Sequence, residues 1–525
     1  MQKKSAGTVV LAFFALALFV FGATFIGLKF AHKADTDGGS ESPPQTTVPV
    51  KPIEDITEPA DKGIENDDAK ITVILDEWQG WKAVLDANKG INNGKKNSLF
   101  AELGVDVNIA VVNDDDEAFN MFVSGEAQAI GLSVNEWAYV KKQYAYEGIE
   151  ATMVMLTDRS VGGDGIVTTA DIYSIEDLVG HKIALAEDSA AHIMLEWLMK
   201  NSSLTYEEVV QIRQDMIFKG STEEAYELFL NGDADVAVLW EPYISLAKQN
   251  TGAKELFTTK DASNMMIDGI VFRNDFIAAH PEAVEKFIEG TLRVVETGAS
   301  HFTYIKEFES YAELPDETIA EMTEIVSYTG FADNSYLFSG TAQTLFEQMG
   351  DIWLSLGKSI LTAGAESAFA PEYLMSLASK FPDSKIYIPV FTDKDREGIV
   401  DKLDTQTLLK QTLTVNFEKD VAIINESSYP ALQQFAQTAI ILNGAIIQIE
   451  GNIADTGLGD TSYGRTLSEN RAIAVKDYLV SQGIDENRFI CIGNGMSKPL
   501  PGIDPKSEEG KEANRRTDIF FMRIE

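Results

Sequence analysis

Acidic and aromatic side chains recur where short apolar runs begin or end. Asp76, Glu77, Trp78 and Trp81 follow ITVIL, and Ser133 closes AQAIGLS. Asp188 and Ser189 follow KIALAE, Trp240 ends DVAVLW with Glu241 just beyond it, and Asp164 and Asp268 stand just ahead of further apolar runs. Indole rings in such positions can box a cation, and neighbouring carboxylates can neutralise it. Ser189 can instead cap a helix over AAHIMLEWL, leaving free amide groups suited to an anion. These chemistries ask for ligands of opposite charge. The carboxylates of Asp76, Glu77, Asp164, Asp188, Glu241 and Asp268 tip the balance towards an amine or zwitterion over a bare oxyanion. The competing reading is structural: indoles packed at a domain edge, a cap without a ligand and carboxylates facing bulk water.

Arg471, in LSENRAIAVKDYLVSQGIDENRF, suggests a separate site. Ala472, Val475 and Leu479 give a helix one apolar stripe, and Arg471 lies at its margin. A guanidinium placed there can take a carboxylate through two parallel hydrogen bonds.

Catalysis finds little support. The five histidines are scattered, and no HExxH, GxSxG or GxxxxGK[ST] stretch occurs. NDDDE, with Asp114, Asp115 and Asp116, lacks the ligand spacing of a calcium loop and reads as a solvated turn. Cys491 is the one cysteine, which excludes an intramolecular disulfide and argues against a Cys/His zinc site. We therefore expect a binding protein with no catalytic residue, metal or cofactor. The 43 basic against 82 acidic residues leave a net charge of −39, which repels a phosphate backbone and argues against nucleic acid as a partner.

The 525 residues exceed one core and suggest about three pieces. From Ile71 onwards ITVIL, DVNIAVV, AQAIGLS, KIALAE, DVAVLW and GIVFR alternate with helical patterns, which predicts parallel sheets covered by helices, with ligands outside the carboxyl ends of the strands. ITVILDEWQGW, GEAQAIGLS, SIEDLVGHKIALAEDSAAHIMLEWLMK, NGDADVAVLWEPYISLA and DGIVFRNDFIAAHPEAVEKFIEG follow one another in the order seen in type 2 periplasmic binding proteins of the nitrate/sulfonate and thiamine-precursor group. That resemblance implies an α/β fold of two lobes joined by crossover strands and closing over a small solute, usually for delivery to an ABC transporter. The cysteine-rich block of the thiamine-precursor proteins is missing.

From Gln411 the pattern becomes strand, helix, strand, helix, strand, with LSxxRAxxVxxYL spacing, a GxGxxxP-like run from Gly493 to Pro499 and NRR near the end. It resembles the OmpA-like peptidoglycan-binding domain, which implies a small α+β sandwich. In that family an arginine on this helix and an aspartate in the preceding loop grip the zwitterionic centre of a diaminopimelate side chain. Arg471 matches the arginine. Asp455 matches the aspartate if a one-residue bulge is admitted after Ala454.

Val9 to Leu28 carries no ionisable side chain and is about as long as a helix needs to cross a bilayer. We expect residues 1–33 to be a retained inner-membrane anchor, 34–70 a flexible acidic linker, 71–390 the two-lobed domain, 391–410 a second linker and 411–525 the OmpA-like domain. The bulk of the chain would then lie in the periplasm, attached to peptidoglycan, capturing a small solute for transport or sensing beside a membrane transporter. One span and an OmpA-like terminus also resemble the MotB-like subunits of ion-driven stators, which makes a structural partner of a channel the alternative. No acid lies in that span, which disfavours proton carriage by it.

Overall fold

The computed structural model describes residues 69–524 except 92–96, 170, 299–303, 359–366, 387–388, 397–398, 400–406, 419–420 and 455–460. The expected membrane anchor, nearly all of the acidic linker and Asp455 lie outside the described residues. Among the described residues, no helix is long and apolar enough to cross a membrane.

Three sheets organise the rest. The first holds β1 (Lys70–Leu75), β2 (Asp106–Val111), β3 (Ala129–Ser133), β4 (Ala151–Ser160), β10 (Ile267–Arg273) and β11 (Val326–Tyr328), in the order β11-β4-β10-β3-β1-β2. The second holds β5 (Asp164–Thr168), β6 (Ile183–Ala186), β7 (Met216–Lys219), β8 (Val236–Trp240) and β9 (Lys254–Thr258), ordered β7-β6-β8-β5-β9. β12 (Thr407–Leu413), β13 (Ile446–Asn452), β14 (Phe489–Gly495) and β15 (Thr517–Met522) make the third, ordered β12-β15-β13-β14.

Both large sheets are mixed, which corrects the expectation of parallel sheets. β1 is parallel to β2 and β3, whereas β10 is antiparallel to β3 and β4, and β5 is antiparallel to β8 and β9. Chain connectivity gives the reason. β4 runs out of the first lobe into β5 through 161–163, and β9 returns to β10 through 259–266, so an outgoing and a returning strand lie side by side and must point in opposite senses. β4 is buried at every residue, as suits a central strand covered on both faces.

The helix Ala342–Ser355 spans both lobes. Its Gln348 accepts from the Trp197 indole in the helix Ala190–Asn201, and its Trp353 donates to the Asn135 carbonyl at 3.1 Å, in the helix Val134–Tyr146.

In the C-terminal unit the helix Ser462–Ser481 buries Ala472, Val475 and Leu479, the stripe read from the sequence, and packs on β13 and β14. Thr461 caps it, its hydroxyl accepting from the Gly464 amide at 3.1 Å. A Cβ at Gly451 would fall 2.1 Å from the Ser468 carbonyl oxygen, so glycine is what lets this helix meet β13 so closely. The third sheet begins at Thr407, inside the 391–410 stretch read as linker. Phe391 and Ile399, in that same stretch, pack on Ile446 and Met522.

One apolar cluster takes in Leu195 and Leu198 of the second lobe together with Leu409 and Phe435 of the C-terminal unit. Burying each such side chain contributes about 1.5 to 3 kcal/mol.

Candidate functional site

Strand register builds an acidic row. Tyr328, Asp158, Asp268 and Ser133 are successive partners across β11, β4, β10 and β3. Directly paired residues project from the same face, so Asp158 and Asp268 stand together and share a hydrogen bond. Asp76 follows β1, and Glu136 lies in the first turn of the helix Val134–Tyr146. Ser133 caps that helix and fixes Glu136. Its hydroxyl accepts from the Glu136 amide at 3.1 Å, and the Glu136 carboxylate accepts from the Ser133 hydroxyl at 2.9 Å and amide at 2.8 Å.

Electrostatics set these four carboxyls apart. Burial pushes Asp158 up to about 6 and Glu136 up to about 7, against the hydrogen bonds each accepts. Asp268 is raised well above the usual carboxylate range, first by burial and then by the charges of Asp158 and Glu136. Burial raises Asp76 as well, partly offset by the Trp81 indole. Asp76 and Glu136 keep solvent-exposed surface although protein surrounds them, so water screens part of the effect; Asp158 is fully buried. The foremost charges acting on the cluster are acidic: its own members and Asp115. Nearby cations have acidic partners elsewhere, Lys82 in Asp86 and Arg159 in Asp333 at 3.1 Å.

The two indoles beside Asp76 differ. Trp78 is half-buried, donates to Asp158 Oδ1 at 3.2 Å, and its ring would lie 3.5 Å from a Cβ on Gly163. Trp81 is 2 % exposed and donates to Asp76. It packs so tightly that a Cβ on Gly131 would meet both its ring and Leu75 at 2.8 Å. Expected as a ligand contact, Trp81 instead positions Asp76 from within the core.

The second lobe brings Asp164, Trp240 and Glu241 to the hinge. Asp164 pairs with Trp240 across β5 and β8 and accepts from the Ser160 hydroxyl at 2.8 Å. Burial, with a further push from Glu241, raises it to about 6 despite that bond. Glu241 donates its amide to the Gly163 carbonyl at 2.8 Å, while its carboxylate accepts from the Ser245 amide and hydroxyl at 3.0 and 2.9 Å. Trp78 from one lobe and Glu241 from the other thus flank Gly163.

Asp188 and Ser189 belong to a different contact. Ser189 caps the helix Ala190–Asn201, accepting from the His192 amide at 3.2 Å, and Asp188 adopts a left-handed φ of 56°. Lys358 donates to Asp188 at 2.7 Å and lies 3.6 Å from Glu187. Lysine-paired carboxylates therefore stand at the helix start that the sequence suggested for an anion.

Glu136 and Asp158 escaped the sequence reading. Ser133 and Glu136 have the S-x-x-E spacing of a capping box, which could have exposed the first. Asp158 ends an apolar run, ATMVMLT, just ahead of a Gly-Gly pair. The NDDDE acids start a helix rather than a turn, Asp114 accepting from the Glu117 amide at 2.8 Å. Among the described residues no group of three or more His, Cys, Asp or Glu could hold a metal ion.

In the C-terminal unit a pocket of about 90 Å³ is lined by Phe417, Asn452, Arg471, Arg515, Arg516 and Thr517 among others. Arg471 lies over the Phe417 ring at 4.9 Å and donates Nε to the Val421 carbonyl at 3.3 Å. Arg516 is committed to Asp518 at 2.9 Å. Three guanidinium groups thus stand at the wall of this pocket, one of them already ion-paired.

Residues 90–301 match the model of the NMT1/THI5 like family, and residues 416–515 match that of the OmpA family. The chain joins an NMT1/THI5-like region to an OmpA-family region. Over 106 residues this chain is 37% identical to outer membrane protein A of Bordetella avium, covering 20% of this chain and 53% of that protein. Outer membrane porin F of Pseudomonas aeruginosa is 26% identical over 188 residues, 32% of this chain and 49% of that one. The chain thus spans about half the length of these curated relatives. Among solved structures, the periplasmic aliphatic sulphonate binding protein of Escherichia coli is 13% identical, with 57% of this chain and 92% of that chain covered and a TM-score of 0.45. The acidic row around Asp158 falls in and beside the NMT1/THI5-like region, and Arg471 falls in the OmpA-family region.

Proposed function

We propose that the protein is a non-enzymatic envelope protein that captures a small cationic or zwitterionic solute between its two lobes and holds peptidoglycan through its C-terminal domain. One observation carries the solute class. Asp76, Glu136, Asp158 and Asp268 converge beside the Trp78 indole, and the foremost charges acting on them are acidic. An ammonium entering there would relieve their mutual repulsion and gain charge-assisted hydrogen bonds, while a bare oxyanion would add to the repulsion. Asp164, Trp240 and Glu241 would meet the solute from the second lobe as it closes. Arg471 would take the carboxylate of the wall peptide's zwitterionic centre, and Asp455 its ammonium. Val9 to Leu28 would anchor the chain in the inner membrane, and the acidic segment would act as its tether, serving transport or sensing.

Equilibrium dialysis of the purified protein at pH 8 against matched amines, amino acids, alkyl sulfonates and nitrate tests the solute class. Retention of an amine or amino acid, weakened by Asp268→Asn, is the expected result. Retention of sulfonate or nitrate alone would remove the acidic row from the binding site.

A further inference from the structure

The segment returning from the second lobe to the first, 259–266, is held by the C-terminal unit. Asn443 Oδ1 accepts from the Ser263 hydroxyl at 3.2 Å and from the Asn264 amide at 3.3 Å. The Asn264 side chain donates to the Ile440 carbonyl at 2.8 Å, and the Gly444 amide donates to the Asp261 carbonyl at 2.9 Å. Arg523 reaches the same place from beyond β15. It donates to the Glu255 and Leu256 carbonyls at 2.8 and 2.6 Å and pairs with Asp261 at 3.2 Å. The contact is close-packed, since a Cβ on Gly444 would lie 2.4 Å from the Lys260 carbonyl oxygen.

The same asparagine faces the outgoing strand. Asn264 Oδ1 accepts from Arg159 at 3.3 Å, and Arg159 follows Asp158 on β4 and pairs with Asp333. A buried polar chain therefore runs from the residue beside Asp158, through Asn264, to the last turn of the helix Tyr429–Ile441. It ties the outgoing strand β4, through Arg159, to the returning connection, through Asn264.

Hinge closure changes backbone angles in a few residues of such connecting segments, and a domain hydrogen-bonded to them resists that change. We propose that the C-terminal domain braces the hinge, so that its docking on 259–266 sets how far the two lobes move relative to each other. Coupling of this kind is reciprocal: a change in lobe position alters the docked contact, and strain on the docked contact alters lobe position. Through it, a load on the wall-binding domain would reach the solute cleft. The proposal rests on the two-lobed reading of the fold and does not depend on which solute is bound.

Nitroxide labels at Tyr146→Cys in the first lobe and Tyr206→Cys in the second, both on exposed residues, in a Cys491→Ser background of the full chain, report the lobe-to-lobe distance by double electron–electron resonance. The parent should give a narrow distribution. Gly444→Ala, Asn443→Ala and Arg523→Ala should each broaden it or move its mean by about 2 Å or more, the scale of a genuine domain rearrangement. Asn443→Ala removes only a side-chain amide and keeps the test decisive if the wedge at Gly444 prevents folding. An unchanged distribution in folded Asn443→Ala and Arg523→Ala would overturn the brace. That result would leave the solute-binding proposal standing, since the dialysis experiment tests it separately.

Discussion

Asp158 is fully buried, and its hydrogen-bonded neighbour is a second carboxyl, Asp268, which must keep a proton to donate that bond. Such a pair loses its protons in coupled steps. With Asp158 and Asp164 raised to about 6 and Glu136 to about 7, these three carboxyls are mostly protonated at pH 5 and mostly charged at pH 8, while Asp268 holds its proton longer than an ordinary carboxylate. Affinity for a cationic solute should therefore strengthen as pH rises from 5 to 8, and Asp158→Asn should flatten that profile; calorimetric titration at several pH values measures both. At the second site, Arg471→Ala should cut retention on purified sacculi about 10- to 100-fold, the weight of a charge-assisted hydrogen-bonded pair. Arg471→Lys should recover only part of the loss, because an ammonium cannot reproduce the planar fork. Equal pull-down of wild type and Arg471→Ala would remove the arginine from the wall site.

Strand ends position three of the acids, and a helix start fixes the fourth, Glu136. Ser133→Ala removes the cap of the helix Val134–Tyr146 and releases Glu136, at a cost of about 1 kcal/mol by urea denaturation. Gly451→Ala should be harsher, about 1 to 3 kcal/mol or more, because its methyl would strike the Ser468 carbonyl and push the helix Ser462–Ser481 off β13. Most elements were legible beforehand, since ITVIL, KIALAE and DVAVLW have the length and branching of buried strands and become β1, β6 and β8. Strand direction was not legible, because an apolar run reads the same whichever way its neighbour points. Trp78 and Trp81 show the limit at the site: three positions apart, they look alike in sequence, yet one borders the hinge and the other is packed under Gly131.

Across the whole molecule the raised carboxyls make stability depend on pH. A group whose folded value exceeds its unfolded value keeps its proton longer when folded, so the native state binds more protons between the two values and stability falls as pH rises through them. Without solute, the protein should lose stability from about pH 4 to pH 7. Asp158 accounts for roughly 2 to 3 kcal/mol of that, from its rise to about 6. Melting curves of wild type and Asp158→Asn across this range check the sign: the variant should overtake the wild type at the upper end. A bound amine should restore the wild type's melting temperature at pH 8, by mass action on the folded state. The contact between the C-terminal unit and the hinge lay beyond the sequence, because Asn443, Gly444 and Arg523 carry no pattern that says which distant backbone they meet.

That distance in the chain bears on how the molecule matures. Arg523 closes on Asp261 across 262 positions, among the longest loops the fold must shut. Contacts of such separation form late, and domains made first on the ribosome fold first. The two lobes, already bridged by the helix Ala342–Ser355, should thus emerge before the Arg523 contacts can close. If the C-terminal domain braces the hinge, a newborn chain would pass through a slacker stage before β15 and Arg523 arrive.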